Sequence, residues 1–261
     1  MAGSEGNKPA KPLSQRQEMT VDATSLGDRF VVLAVSVVYR GIGLPVAWTI
    51  VPAGQKRAWR REWLRMLRQL RPAIPPDWTV IVLADRGLYA RWLFRRIVRL
   101  GWHPFLRINT GAKFRPAGKA RWYWLKELVG TVGERWQGRG TAFASPECHL
   151  DCTLLAWWGE GYSDPWYVLT DLDPEACAVE WYGLRSWCEQ GFKCTKRGGW
   201  QWQQTQMRDP NRAARLWLLV ELIQGRPLPL PHRLLPEPWP DIPERLDLPI
   251  LHQKALSYAF M

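Results

Sequence analysis

The chain of 261 residues is 46% hydrophobic, enough to fill a substantial core, and carries 36 lysines and arginines against 24 aspartates and glutamates, a net charge of +12. That excess suits a polyanionic partner, because phosphate contacts release counterions, and 18 tryptophans are more than a core needs, since aromatic faces beside basic residues also hold unstacked bases. Five cysteines without a CxxC pair argue against a disulfide framework and a standard zinc site, and the longest apolar run, "FVVLAVSVV", is too short to span a bilayer, so the reading is a soluble protein of a reducing cytosol with no membrane contact.

In chain order, residues 1–17 combine Gly, Ser, Pro and Lys with almost nothing apolar, which predicts a disordered lead-in with structure beginning near Met19. Three strands follow, "MTVDAT", "RFVVLAVSVVYRG" and "GLPVAWTIVPA", rich in β-branched residues and broken by Gly27 and by "GIG" at 41–43. "KRAWRREWLRMLRQLRP" places Trp59, Trp63, Met66, Leu67 and Leu70 at helical spacing before Pro72. "DWTVIVLAD" reads as a buried strand, 89–100 as a helix, and "HPFLRI" as another strand. The resulting βββαβαβ order predicts an α/β fold, a mixed sheet with helices on both faces. From about 109 to 171 short segments such as "RWYWLKEL", "HLDCTLLAWW" and "PWYVLTDL" predict a β-rich, Trp-dense insertion. Helices are expected again over 174–196 and 211–224, and the Pro-rich stretch 226–261 reads as an extended tail.

Three carboxylates occupy distinctive places in that order. Asp22 lies on the first strand, Asp85 closes the fourth, and Glu189 sits mid-helix after the insertion. Asp28, at the other side of the same turn, rivals Asp22. Strand ends are where sites gather in such sheets, and acids brought that close repel one another unless cations intervene. Oxygen-only ligands suit Mg²⁺ or Mn²⁺. On the last helix, at about 100° per residue, Tyr182, Arg185, Glu189, Lys193 and Lys196 fall within an arc of roughly 80°. A solvated stripe with Arg185/Glu189 and Glu189/Lys193 pairs is the plain alternative.

The spacing Tyr182, Arg185, Glu189, Lys196, a Y(2)R(3)E(6)K pattern, together with "DATSLG" around Asp22 and "LADRGL" around Asp85, resembles the IS4-type bacterial DDE transposases. The resemblance implies an RNase H-like catalytic domain over 18–225 with the β-rich insertion before its last catalytic helix. It implies catalytic and metal-ligating roles for Asp22, Asp85 and Glu189 with two Mg²⁺ or Mn²⁺ ions, and DNA contacts by Tyr182, Arg185, Lys193 and Lys196. The partners it implies are double-stranded DNA, as transposon inverted repeats and target, and a homodimer in the synaptic complex. Family members often pass through a hairpin whose flipped base stacks on an insertion tryptophan, for which Trp122, Trp124, Trp157 and Trp158 are candidates. The recognition domain usual ahead of the first aspartate has no room in the 21 residues before Asp22, so a shortened reading frame is expected. A non-catalytic DNA-binding remnant is the alternative, and a structure-specific nuclease a third reading.

Overall fold

The computed structural model describes residues 16–39, 41–54, 59–193, 196, 201 and 204–224, so the lead-in through residue 15 and the Pro-rich tail lie outside the described residues. The first three strands form a meander, β1 (Arg16–Leu26), β2 (Phe30–Tyr39) and β3 (Ile42–Pro52). β1 starts at Arg16, three residues before the expected Met19, because Arg16 and Gln17 already pair with β4. Gly27 at φ 58 supplies the left-handed residue of the β1–β2 turn, closed by the Leu26–Phe30 pair.

Helix α1 (Trp59–Leu70) turns Trp63, Met66, Leu67 and Leu70 to the core and stops where Pro72 can no longer donate. β4 (Thr79–Ala84), α2 (Arg91–Arg99) and β5 (His103–Arg107) follow. β4 runs parallel to both β1 and β5. β1 is thereby central and buried along most of its length.

The Trp-dense region holds β6 (Lys113–Pro116), β7 (Tyr123–Trp124), the single turn α3 (Leu125–Leu128), β8 (Arg135–Ala142), β9 (Leu150–Trp157) and β10 (Trp166–Thr170). These strands continue the same sheet, through antiparallel pairing of β10 with β5, to give the ten-stranded order β3-β2-β1-β4-β5-β10-β9-β8-β6-β7. The apolar faces of β9 and β10 explain the fusion, since they continue the layer begun by Ile81, Leu83 and Phe105.

The expected helix over 174–196 is shorter. Pro174–Ala176 and Val179–Leu184 are 3₁₀ turns, so the α-helix α4 begins only at Arg185, and it is described through Lys193. Pro174 and Gly183 interrupt the α pattern there. α5 (Pro210–Gln224) opens with Pro at its first position and with the Asp209 carboxylate accepting from the Asn211 amide. α1 and α2 pack against Met19, Val21, Val80 and Val82, whereas Leu184 and Cys188 lie against Ile81 and Leu83 on the opposite face. Among the described residues no helix is long and apolar enough to cross a membrane.

One close approach fixes α4. A Cβ on Gly43 would lie 2.2 Å from Cys188 Sγ and 2.7 Å from its Cα, so the start of β3 and the helix backbone touch through a missing side chain. Thr20 donates to the same sulfur at 2.8 Å. Gly43→Ala is therefore expected to cost about 1–3 kcal/mol by overpacking and to displace the helix that carries Glu189. Thermal melting reads the first effect, and melting unchanged from the parent would mean that the helix yields freely.

Candidate active site

In the parallel register of β1 and β4, Val21 faces Ala84, so Asp22 and Asp85 come next on neighbouring strands, a spacing of about 4.8 Å between chains. Asp22 accepts the Ala23 amide at 2.9 Å and is 8% exposed. Asp85 closes the Asp-Arg-Gly turn by accepting the Leu88 amide at 2.9 Å. The rival Asp28 is exposed in the hairpin turn.

α4 brings Arg185 and Glu189 over this pair. Arg185 Nη2 lies 3.4 Å from Asp22 Oδ2 and 3.5 Å from Asp85 Oδ2, and Nη1 donates to Glu189 Oε1. Three acids distant in sequence thus meet at one guanidinium. Their side chains are unequally exposed, 11% for Asp22, 35% for Asp85 and 47% for Glu189. Burial, with Asp85 and Glu189 adding to it, pushes the Asp22 carboxyl up to about 6 over the opposing pull of Arg185. Burial works against the Arg185 charge too, but Asp22, Tyr182, Glu189 and Asp85 together outweigh it and raise its pKa.

A cavity of about 280 Å³ opens beside the acids, lined by Asp22, Thr24, Glu189, Phe192, Lys193 and Lys196. The two lysines therefore border the space next to two of the acids. Tyr182 does not share that exposed stripe. It stands in the 3₁₀ turn before α4, is 5% exposed, and meets Trp166 edge-on at 5.1 Å. Burial pushes its hydroxyl up to about 12, with the Arg185 and Arg107 guanidinium groups pulling the other way. Arg185 keeps the place the helical projection gives it, one turn before Glu189 on the same face, and its fork is spent on the three acids.

Among the described residues no three His, Cys, Asp or Glu side chains are drawn into one metal cage, because the acids stand around the guanidinium. The donor set is nevertheless all oxygen, anionic and served by three separate elements, which fits a hard divalent cation.

Of the four tryptophans weighed above, Trp157 joins Tyr162 and Trp166 in an aromatic cluster that reaches Tyr182. Trp158 donates to the Tyr162 carbonyl. Trp122, just before β7, lies beneath Arg115, and Trp124, on β7, beneath Lys113; Arg115 also lines a larger cavity of about 450 Å³ with Lys119, Arg139 and Asp151. Sequence reasoning missed Asp164, which accepts from Arg86 at 2.6 Å and from Arg107 at 2.9 Å and so ties the turn after Asp85 to the β9–β10 connection. No spacing signal marks it, since the contact joins residues 78 apart.

A family model described as the transposase DDE domain matches residues 18–223. Among solved structures, the chain is similar to a piggyBac transposase in a synaptic complex with hairpin DNA, at 13% identity and a TM-score of 0.43, over 78% of this chain. The chain spans 45% of that one's length. No curated protein matches.

Proposed function

The chain belongs to the transposase DDE domain family, and on that premise we propose that it is a catalytic domain of the IS4 type, RNase H-like in fold, that cuts transposon ends and joins the freed 3′-hydroxyl to target DNA. The observation that carries this reading is the meeting of Asp22, Asp85 and Glu189 at one guanidinium. The inner strand order β3-β2-β1-β4-β5, antiparallel then parallel, supports the fold assignment.

DDE transposase domains generally use divalent metal ions. Asp22 and Asp85 would hold them from adjacent strands and Glu189 from α4, with Mg²⁺ or Mn²⁺ as the ions and two as their number. When bound, such ions activate a water or a 3′-hydroxyl and stabilise the leaving oxygen of a phosphodiester. Lys193 and Lys196, at the mouth of the adjoining cavity, draw the DNA backbone toward the acids. Arg185 balances the carboxylates until cations take over that task, and its planar fork then suits a phosphate. Synapsis of two ends calls for a homodimer.

Asp85→Asn tests the assignment. On DNA bearing the cognate inverted repeats, with Mg²⁺ or Mn²⁺, nicking and strand transfer are expected to fall by about 100-fold or more while DNA binding persists. A variant as active as the parent removes Asp85 from the chemistry. The guanidinium standing between the acids favours a second reading, a non-catalytic DNA-binding remnant in which Arg185 has taken the cation's place for good. That reading predicts no cation binding by the parent chain.

A further inference from the structure

Among the described residues, a densely charged surface outside the acid site lies on the other side of the sheet. α1 and α2 hold four arginines each, no lysine, and a single acid, Glu62. On α1, Arg61, Arg65 and Arg68 project opposite the buried Trp63, Met66, Leu67 and Leu70, and all three are exposed. Arg95 and Arg99 are likewise exposed on α2, opposite Leu93, Phe94 and Ile97. The two helices are joined by Arg60 over the Trp92 ring at 5.4 Å and by Arg71 Nε donating to the Leu100 carbonyl at 2.9 Å. Local partners take only part of this charge. Arg65 pairs with Glu62 at 2.6 Å and Arg91 donates to the Glu147 carbonyl.

Such an arrangement works against the helices that carry it. Arg61/Arg65, Arg91/Arg95 and Arg95/Arg99 are like charges four residues apart, which destabilise a helix. An anionic partner removes that repulsion. Arginine in place of lysine throughout points to phosphate, which the guanidinium grips with two parallel bonds. Arg61 to Arg68 covers about 10 Å along the helix axis, a run of successive backbone phosphates rather than one small anion.

We propose that the α1–α2 face is a second duplex-binding surface, taking the backbone of a nucleic-acid duplex other than the one presented to Asp22, Asp85 and Glu189. The two faces are separated by the sheet itself, with α1 and α2 packed on one side and α4 on the other. With a persistence length of about 150 base pairs, a short duplex seated at the acids does not bend around the domain to reach the arginines. Counting two duplexes rests on the reading of the acid face as a DNA site; the role of the arginines does not.

The test titrates a duplex of arbitrary sequence, about 20 base pairs long, into the parent and into Arg61→Gln/Arg68→Gln/Arg95→Gln/Arg99→Gln, without divalent cations, between about 50 and 200 mM salt. The parent is expected to take two duplexes per chain by sedimentation, and the variant one. The slope of log K against log salt is expected to shrink by about 3 to 4 in the variant. Circular dichroism and melting confirm that the variant is folded, and strand cleavage at the acids is expected to persist. A parent that takes one duplex per chain, with the slope still lost in the variant, sinks the acid-face reading and leaves the arginine face as the DNA site. The proposal is overturned if a folded variant matches the parent in both count and slope. It is also overturned if the variant keeps its duplexes and loses only binding to vesicles of anionic lipid.

Discussion

Asp22→Asn is expected to lose strand cleavage and to melt higher than the parent above about pH 6. The second half follows from the folded carboxyl binding its proton more tightly than the unfolded one, about 6 against 3.8. Such a group stabilises the fold fully below 3.8 and loses that contribution as pH rises through about 6. At neutral pH the buried charge therefore costs about 3 kcal/mol, from roughly 1.4 kcal/mol per pKa unit. Asparagine keeps an oxygen for the Ala23 amide and carries no charge to desolvate. Melting of parent and variant on either side of the window checks this: a large gap above it that closes below 3.8. A gap of equal size at both ends would show that burial of the charge is not the cause. An acid that weakens the fold and whose removal abolishes the reaction is kept for chemistry.

The inner sheet was legible because its signals are local. Alternation and β-branched runs mark β1 to β5, and Pro72 and the apolar spacing mark α1. The meeting of the acids was legible for a different reason, since Asp85 follows the last residue of β4 and Asp22 stands beside it where the β1–β4 pairing stops, in a strand order that follows from the crossover through α1. The stripe on the last helix was legible only in part. A wheel assumes one helix, and the 3₁₀ turn over Val179–Leu184 takes Tyr182 out of phase and into the core beside Trp166. The merging of the insertion into one ten-stranded sheet depends on the β5–β10 pairing, which joins residues some sixty apart and has no mark in either segment. Gly43 was legible as a breaker between strands, but its contact with Cys188 is a product of packing alone.

Removing the guanidinium is expected to damage the fold severely. Arg185 is 12% exposed and Asp22 11%, so the pair is nearly withdrawn from water. Breaking such a pair from one side leaves an uncompensated buried charge and costs about 3–5 kcal/mol. Arg185→Gln leaves three carboxylates at one place without their shared cation, and without its downward pull Asp22 holds its proton to still higher pH. The instability should therefore be worst at neutral and alkaline pH and ease on acidification. A divalent cation is expected to reverse it: at about 100 times its Kd, a cation that binds only the folded state returns about 2.7 kcal/mol. The parent should gain less from the same cation, because there the cation must first displace a guanidinium held by all three acids. That displacement gives up the bonds of Nη1 and Nη2 but none of Nε, which is buried with no acceptor among the described residues. Melting curves of both proteins with and without Mn²⁺ decide the matter. Equal gains would mean that Arg185 and the cation do not compete for the carboxylates, and a variant as stable as the parent without cation would mean that the acids need no counter-charge at all.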